Sequence, residues 1–316
     1  MMSAFASMGD LTKAMFRLYE EQRFADALEM LTREQVHYPD QRGHIIYWRM
    51  CFAALTGDVD QSLRLFADAL DQGDWYSETM LRQDSDLQAL QGNPAFERLV
   101  ARNAEFIAQA QENVKPYRIE LLPETEPPYP LLVALHGNLS NAAAHVDDWR
   151  TATNNGWAVM LPQSTQVGRM DRYVWDDPDW AQREVTAHIE TVCQTHPIDR
   201  RNVVIGGFSR GALIAAWMAL KGSIPTQGFI TVAGHFRPEH IDEWRAYLGN
   251  AYIRDVGAFL VIGEADTICL PGVRALHNLL TGHDIRSELR VYPGLDHAYP
   301  ENWETVLAEA LDFVTR

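Results

Sequence analysis

The chain is short of cysteine, of positive charge and of long apolar runs. Its three cysteines, Cys51, Cys193 and Cys269, lie far apart with no C-x-x-C spacing, which excludes a disulfide framework and reads as reduced thiols. No His-Glu-x-x-His set occurs, and Pro238 interrupts the pair His235 and His240, so no metal is expected. Neither a Gly-x-Gly-x-x-Gly fingerprint nor a P-loop lysine is found, and no cofactor is expected. Only 27 Lys and Arg oppose 43 Asp and Glu, a formal charge of -16. That balance works against nucleic acid and anionic membrane surfaces, because neutralising phosphate needs clustered cations. The longest apolar stretch, Ala212 to Leu220, is too short to span a bilayer. Met1 to Asp10 lacks a basic segment followed by an apolar core, so a cytoplasmic location is expected.

What is present divides into two halves. The chain has 316 residues, 47% of them hydrophobic, enough for two cores. From Leu11 to Ala110 the apolar residues recur at helical spacing with little β-branching. Tyr19 to Leu31 is echoed by Leu55 to Phe66, with Leu28 and Leu63 corresponding at an offset of 35 residues. Small residues at Ala27 and Ser62 let paired helices approach. This half resembles a short tetratricopeptide array, whose period is about 34 residues, with a third helical unit over Trp75 to Val100. So short an array is expected to lean on the second domain, on another copy or on a protein partner. The predicted domains are residues 1–113, helical, and 114–316, α/β.

In the second half short apolar runs alternate with amphipathic stretches, the pattern of a mostly parallel sheet with helices on both faces. Tyr117 to Pro123 reads as an edge strand. Buried strands are predicted at Leu131–Leu135, Trp157–Leu161, Val203–Gly206, Phe229–Ala233, Ala258–Gly263 and Glu288–Tyr292, and a closing helix at Trp303–Val314.

Chemistry is concentrated just after those runs. In parallel sheets ligands bind beyond the carboxyl ends of the strands. His136-Gly137-Asn138 follows the first central strand, and Ser209 follows Val203 to Phe208. Glu264-Ala265-Asp266 and Gly294-Leu295-Asp296-His297 follow the last two. Gly207-Phe208-Ser209-Arg210-Gly211 has the form Gly-x-Ser-x-Gly between a β-branched run and an apolar helix. A strand-turn-helix elbow needs that form, because the flanking residues must lack side chains where strand and helix cross.

With serine, acid and histidine in that order, residues 114–316 resemble an α/β-hydrolase of the small carboxylesterase, phospholipase and dienelactone-hydrolase group. The resemblance implies a serine hydrolase acting on small or medium soluble esters, with Trp175 near an acyl pocket. Ser209 is the candidate nucleophile and His297 the base that takes its proton and returns it to the leaving group. Asp266 is preferred, over Glu264 and Asp296, as the carboxylate that fixes the imidazole tautomer. The amides of Asn138 and Arg210 are the candidate oxyanion donors. His235 and Trp175 are candidate substrate contacts, whereas His136 reads as structural, its ring bonded to loop backbone. The same triad serves a thioesterase or peptidase, and an inert hydrolase-fold platform whose repeats bind a protein remains a third reading.

Overall fold

The computed structural model describes residues 3–169, 171–249, 253 and 255–316. The chain divides into two compact units, one of Met1–Val114 with Val167–Met170, the other of Lys115–Gln166 with Asp171–Arg316.

The first unit is helical: α1 (Met8–Glu20), α2 (Phe24–Glu34), α3 (Arg42–Leu55), α4 (Val59–Asp71), α5 (Glu78–Gln83) and α6 (Pro94–Asn113). Side chains mark the starts. Ser7, Asp58 and Asn93 accept backbone N–H groups of the first turns of α1, α4 and α6, and Pro94 opens α6, where its missing donor costs nothing. The spacing found between Leu28 and Leu63 is a helical register: Ala27 and Ser62 are both buried, and Ser62 Oγ donates to the Met50 carbonyl at 2.8 Å where α3 and α4 meet. The third unit departs from that pattern. Its first half is the two-turn α5 followed by a 3-10 segment, Ser85–Leu90, rather than a helix matching α1 or α3.

The second unit is built on a seven-stranded sheet. Its strands are β1 (Tyr117–Leu121), β2 (Tyr129–Leu135), β3 (Ala158–Gln163), β6 (Ile198–Phe208), β7 (Gly228–Val232), β8 (Gly257–Gly263) and β9 (Ser287–Tyr292). Two further short strands, β4 (Val167–Arg169), which belongs to the first unit, and β5 (Arg172–Tyr173), in the second, carry no apolar run that betrays them in the sequence. The sheet order is β1-β3-β2-β6-β7-β8-β9, with β1 antiparallel to β3 and every other pairing parallel.

Period-two alternation along β2 sends Leu131, Val133 and Leu135 into one core and Leu132 and Ala134 into the other. The first core is covered by α8 (Pro178–Thr195), α9 (Arg210–Lys221), α10 (Pro238–Trp244) and α11 (Leu270–Thr281). The second is covered by α7 (Val146–Trp149) and α12 (Trp303–Val314), through Trp149, Trp303, Val306 and Leu307. α9 is buried from Gly211 to Leu220, which explains its apolar sequence without a membrane. Among the described residues no helix is long and apolar enough to cross one.

Candidate active site

The turn between β6 and α9 sets the geometry. Ser209 has φ 54° and ψ -113°, a conformation that costs an L-residue of order 1–3 kcal/mol and persists only where its surroundings enforce it. Those surroundings are crowded. A Cβ on Gly207 would lie 2.5 Å from the Gly211 carbonyl carbon, and one on Gly211 would lie 2.4 Å from the His136 oxygen and 2.5 Å from that of Leu135. The contacts are backbone, so no rotamer change relieves them. Strand β2, the elbow and the start of α9 are therefore pressed together, and half-buried Ser209 stands at the strand's carboxyl end.

Two strands away, the loops after β8 and β9 meet. Asp266 Oδ2 lies 2.6 Å from His297 Nδ1, and its other oxygen accepts the Cys269 N–H at 3.0 Å. Asp266 is 4% exposed, while Glu264 and Asp296 are exposed, so only Asp266 is held in a fixed relation to the ring. The Phe208 ring, next to Ser209, lies edge-on to His297 with centroids 5.0 Å apart. Ser209 Oγ forms no hydrogen bond among the described residues, including none to His297.

Family profiles cover much of the chain. Residues 180–315 match the phospholipase/carboxylesterase family, and residues 8–111 match the N-terminal domain of A/B hydrolase-like proteins. The second unit is an α/β-hydrolase domain. A solved structure of an uncharacterized protein from Bacillus cereus ATCC 10987 is 25% identical, with a TM-score of 0.55 and 98% of each chain covered. The structure of esterase PE8 is 16% identical, with a TM-score of 0.53, and covers 64% of this chain and 100% of its own. That of a ferulic acid esterase is 19% identical, with a TM-score of 0.52, and covers 65% and 93%. These two likenesses are of fold. No curated protein matches the chain.

Around the elbow of the hydrolase domain, side chains hold the candidate oxyanion turn. His136 is buried, with Nδ1 2.8 Å from the Gly137 carbonyl, and its Nε2 accepts the Ser164 N–H at 3.2 Å. Nδ1 therefore carries the proton, and burial holds the ring neutral with a pKa of about 3. The Trp175 Nε1–H donates to the His136 carbonyl at 2.9 Å. Trp175 is 0% exposed, and its ring braces this turn.

His145 and Tyr299 carry no motif in the sequence and join the site only in the fold. His145 Nε2 accepts the Gly137 N–H at 3.3 Å, and burial lowers its pKa to about 4. Its Nδ1 lies 3.1 Å from the Tyr299 hydroxyl, which also accepts the Trp149 Nε1–H at 3.0 Å. Tyr299 stacks on Phe208, two residues beyond His297, and ties the histidine loop to the elbow. With the Gly137 amide engaged by His145, the next amide of that turn is that of Asn138, an exposed residue followed by Leu139 at φ 49°.

Arg210 is the first residue of α9, where its own amide has no intrahelical acceptor. Its Nε–H donates to the Trp175 carbonyl at 3.2 Å, and its terminal nitrogen lies 3.7 Å from Asp176. The His235 N–H donates to the Ser209 carbonyl at 3.4 Å, and half-buried His235 forms one wall of a cleft of about 350 Å³. Cys269 was not singled out by its sequence. Its sulfur lies 3.8 Å from His297 Nδ1, and burial pushes its thiol up to about 12. Asp266, Cys269 and His297 stand within 4.8 Å of one another, with Nδ1 of the imidazole facing the Asp266 carboxylate at 2.6 Å.

Proposed function

We propose that the protein is a serine hydrolase cleaving soluble esters through a Ser209 acyl-enzyme. The observation that carries the reading is the pairing of a strained elbow serine with a histidine whose Nδ1 is 2.6 Å from a buried carboxylate, both at the carboxyl edge of one sheet. With Asp266 accepting the proton on Nδ1, the free lone pair of His297 is on Nε2, the tautomer a base facing a serine needs. The reading requires the Ser209 hydroxyl to reach that nitrogen in the substrate complex, where hydrogen bonds at such sites tighten relative to the apo state.

The steps follow from these roles. Ser209 Oγ bonds to the ester carbonyl carbon as its proton passes to His297 Nε2. The Asn138 and Arg210 amides receive the charge that grows on the carbonyl oxygen. The tetrahedral intermediate collapses with His297 protonating the departing alcohol, and water, deprotonated by the same ring, releases the acid and restores Ser209. Asp266 holds the imidazolium in place throughout and stays ionised.

A fluorophosphonate probe tests the proposal. Labelling of the wild type that vanishes in Ser209→Ala is expected. A folded wild type that resists the probe and leaves p-nitrophenyl acetate intact overturns it.

A further inference from the structure

The cleft beside His235 has a composition at odds with the charge of the chain. Its walls come from the loop and helix after β7 and from the segment after β8: Phe236, Ile241, Ile268 and Pro271 are apolar, and Ile268 is 77% exposed. Arg237 and Asp242 stand at the same cleft, both exposed. Among the described residues Arg237 has no ion-pair partner. Of the neighbouring carboxylates, Asp176 lies 3.7 Å from Arg210, Glu243 accepts the Tyr247 hydroxyl at 2.6 Å and Asp179 lies 3.1 Å from Lys221, while Glu239 and Asp242 follow Arg237 in sequence without an ion pair to it among the described residues.

Cationic and imidazole groups crowd this side of the elbow. The His240 Nδ1 accepts the Arg237 N–H at 3.1 Å, which fixes the loop that carries the guanidinium. Burial, then the charges of Arg237 and Arg210, hold His235 below its ordinary pKa, and burial followed by the same two charges does so for His240. Arg210 in turn is lowered by burial, against the opposing charge of Asp176, and then by Arg237. Arg210 has Asp176 beside it, which leaves Arg237, among the described residues, as the guanidinium of this side without an ion pair, set at the rim of an apolar cleft.

We propose that this cleft is the acyl subsite of the hydrolase and that it selects an aliphatic acyl chain ending in a carboxylate, with Arg237 receiving the carboxylate. The inference rests on the hydrolase reading above. The apolar wall takes the methylenes of a short dicarboxylic half-ester, and the guanidinium, which matches a carboxylate in shape as well as charge, takes its end. Asp242 opposes the same anion from the rim.

The test compares mono-p-nitrophenyl glutarate with its methyl ester, which has the same chain without the charge. The wild type is expected to show a KM about tenfold lower for the anionic ester. Arg237→Gln erases most of that preference, Arg237→Lys retains most of it, and Asp242→Asn enlarges it. Equal KM values for the two esters in the wild type, or an Arg237→Gln variant that shifts both equally, overturns the subsite while leaving the hydrolase intact. Calorimetric binding of free glutarate to the wild type and to Arg237→Gln gives a readout independent of turnover. A difference there without hydrolysis of either ester removes the hydrolase reading alone, and no difference removes the subsite.

Discussion

Asp266→Asn is the most informative single substitution. The carboxylate has one oxygen on the Cys269 N–H at 3.0 Å and the other 2.6 Å from His297 Nδ1, in a position only 4% exposed. Asparagine has nearly the same shape, and its carbonyl oxygen keeps the bond from Cys269, so the fold is retained. Its amide nitrogen is then turned to His297, where it donates instead of accepting. Nδ1 must become the acceptor, the ring proton moves to Nε2, and the lone pair that faced Ser209 is gone. A misprotonated imidazole of this kind costs about 10⁴-fold in turnover, equivalent to about 5.4 kcal/mol of barrier at about 1.36 kcal/mol per decade. Initial rates with p-nitrophenyl acetate, normalised to correctly folded protein by circular dichroism, read the effect. Glu264→Gln and Asp296→Asn remove exposed carboxylates and are expected to stay within about threefold of wild type, since screened charges contribute little. A folded Asp266→Asn within about tenfold of wild type refutes the reasoning, and a large loss in either comparator moves the acid role there.

Other substitutions separate fold from chemistry. Gly211→Ala forces a Cβ to within 2.4 Å of a backbone oxygen and is expected to lose about 3 kcal/mol or more of stability. Gly9→Ala, in an exposed part of α1 with nothing nearer than 3.5 Å, is expected to be neutral or mildly stabilising, both read by urea denaturation. His136→Leu leaves the Ser164 N–H and the Gly137 carbonyl unpaired in a buried site, and a loss of about 3 kcal/mol is expected in the same assay. Asp148 has its pKa raised to about 6 by burial and by Asp147. The folded state thus holds this proton more tightly than the unfolded one, and stability falls as pH rises from the unfolded carboxylate range through about 6. Asp148→Asn is expected to stabilise the fold at pH 8 by on the order of 1 kcal/mol after allowance for partial exposure, read as a higher melting temperature, and to change it little at pH 4. Equal shifts at both pH values would count against that linkage.

Local signals fixed a large part of the fold. The central strands β2, β3, β7 and β8 coincide with apolar runs, β6 extends five polar-rich residues before its predicted start at Val203, and α12 spans the residues its periodicity marks, Trp303–Val314. The runs are legible because a central parallel strand is buried on both faces and must be apolar throughout. The 35-residue correspondence in the first half was legible for a similar reason, since it repeats a helix register. Its third unit was not, because α5 and the segment Ser85–Leu90 have helical apolar spacing while adopting short and partly 3-10 turns.

The sequence by itself determined where reactive side chains stand along the sheet: residues after strand ends share one edge, whatever the loops do. It determined the elbow as well, since only glycine at 207 and 211 permits the approach of backbone to within 2.5 Å of a would-be Cβ. Which of three carboxylates meets His297 was a preference for Asp266 in the sequence, and the fold of the loops after β8 and β9 against each other sets Asp266 at 2.6 Å from the ring. Tertiary structure alone placed Trp175 against the turn, brought His145 and Tyr299 into the site from distant segments, and set Arg237 at an apolar cleft. Those outcomes arise from side-chain packing between residues far apart in the chain, and no local pattern encodes such pairings.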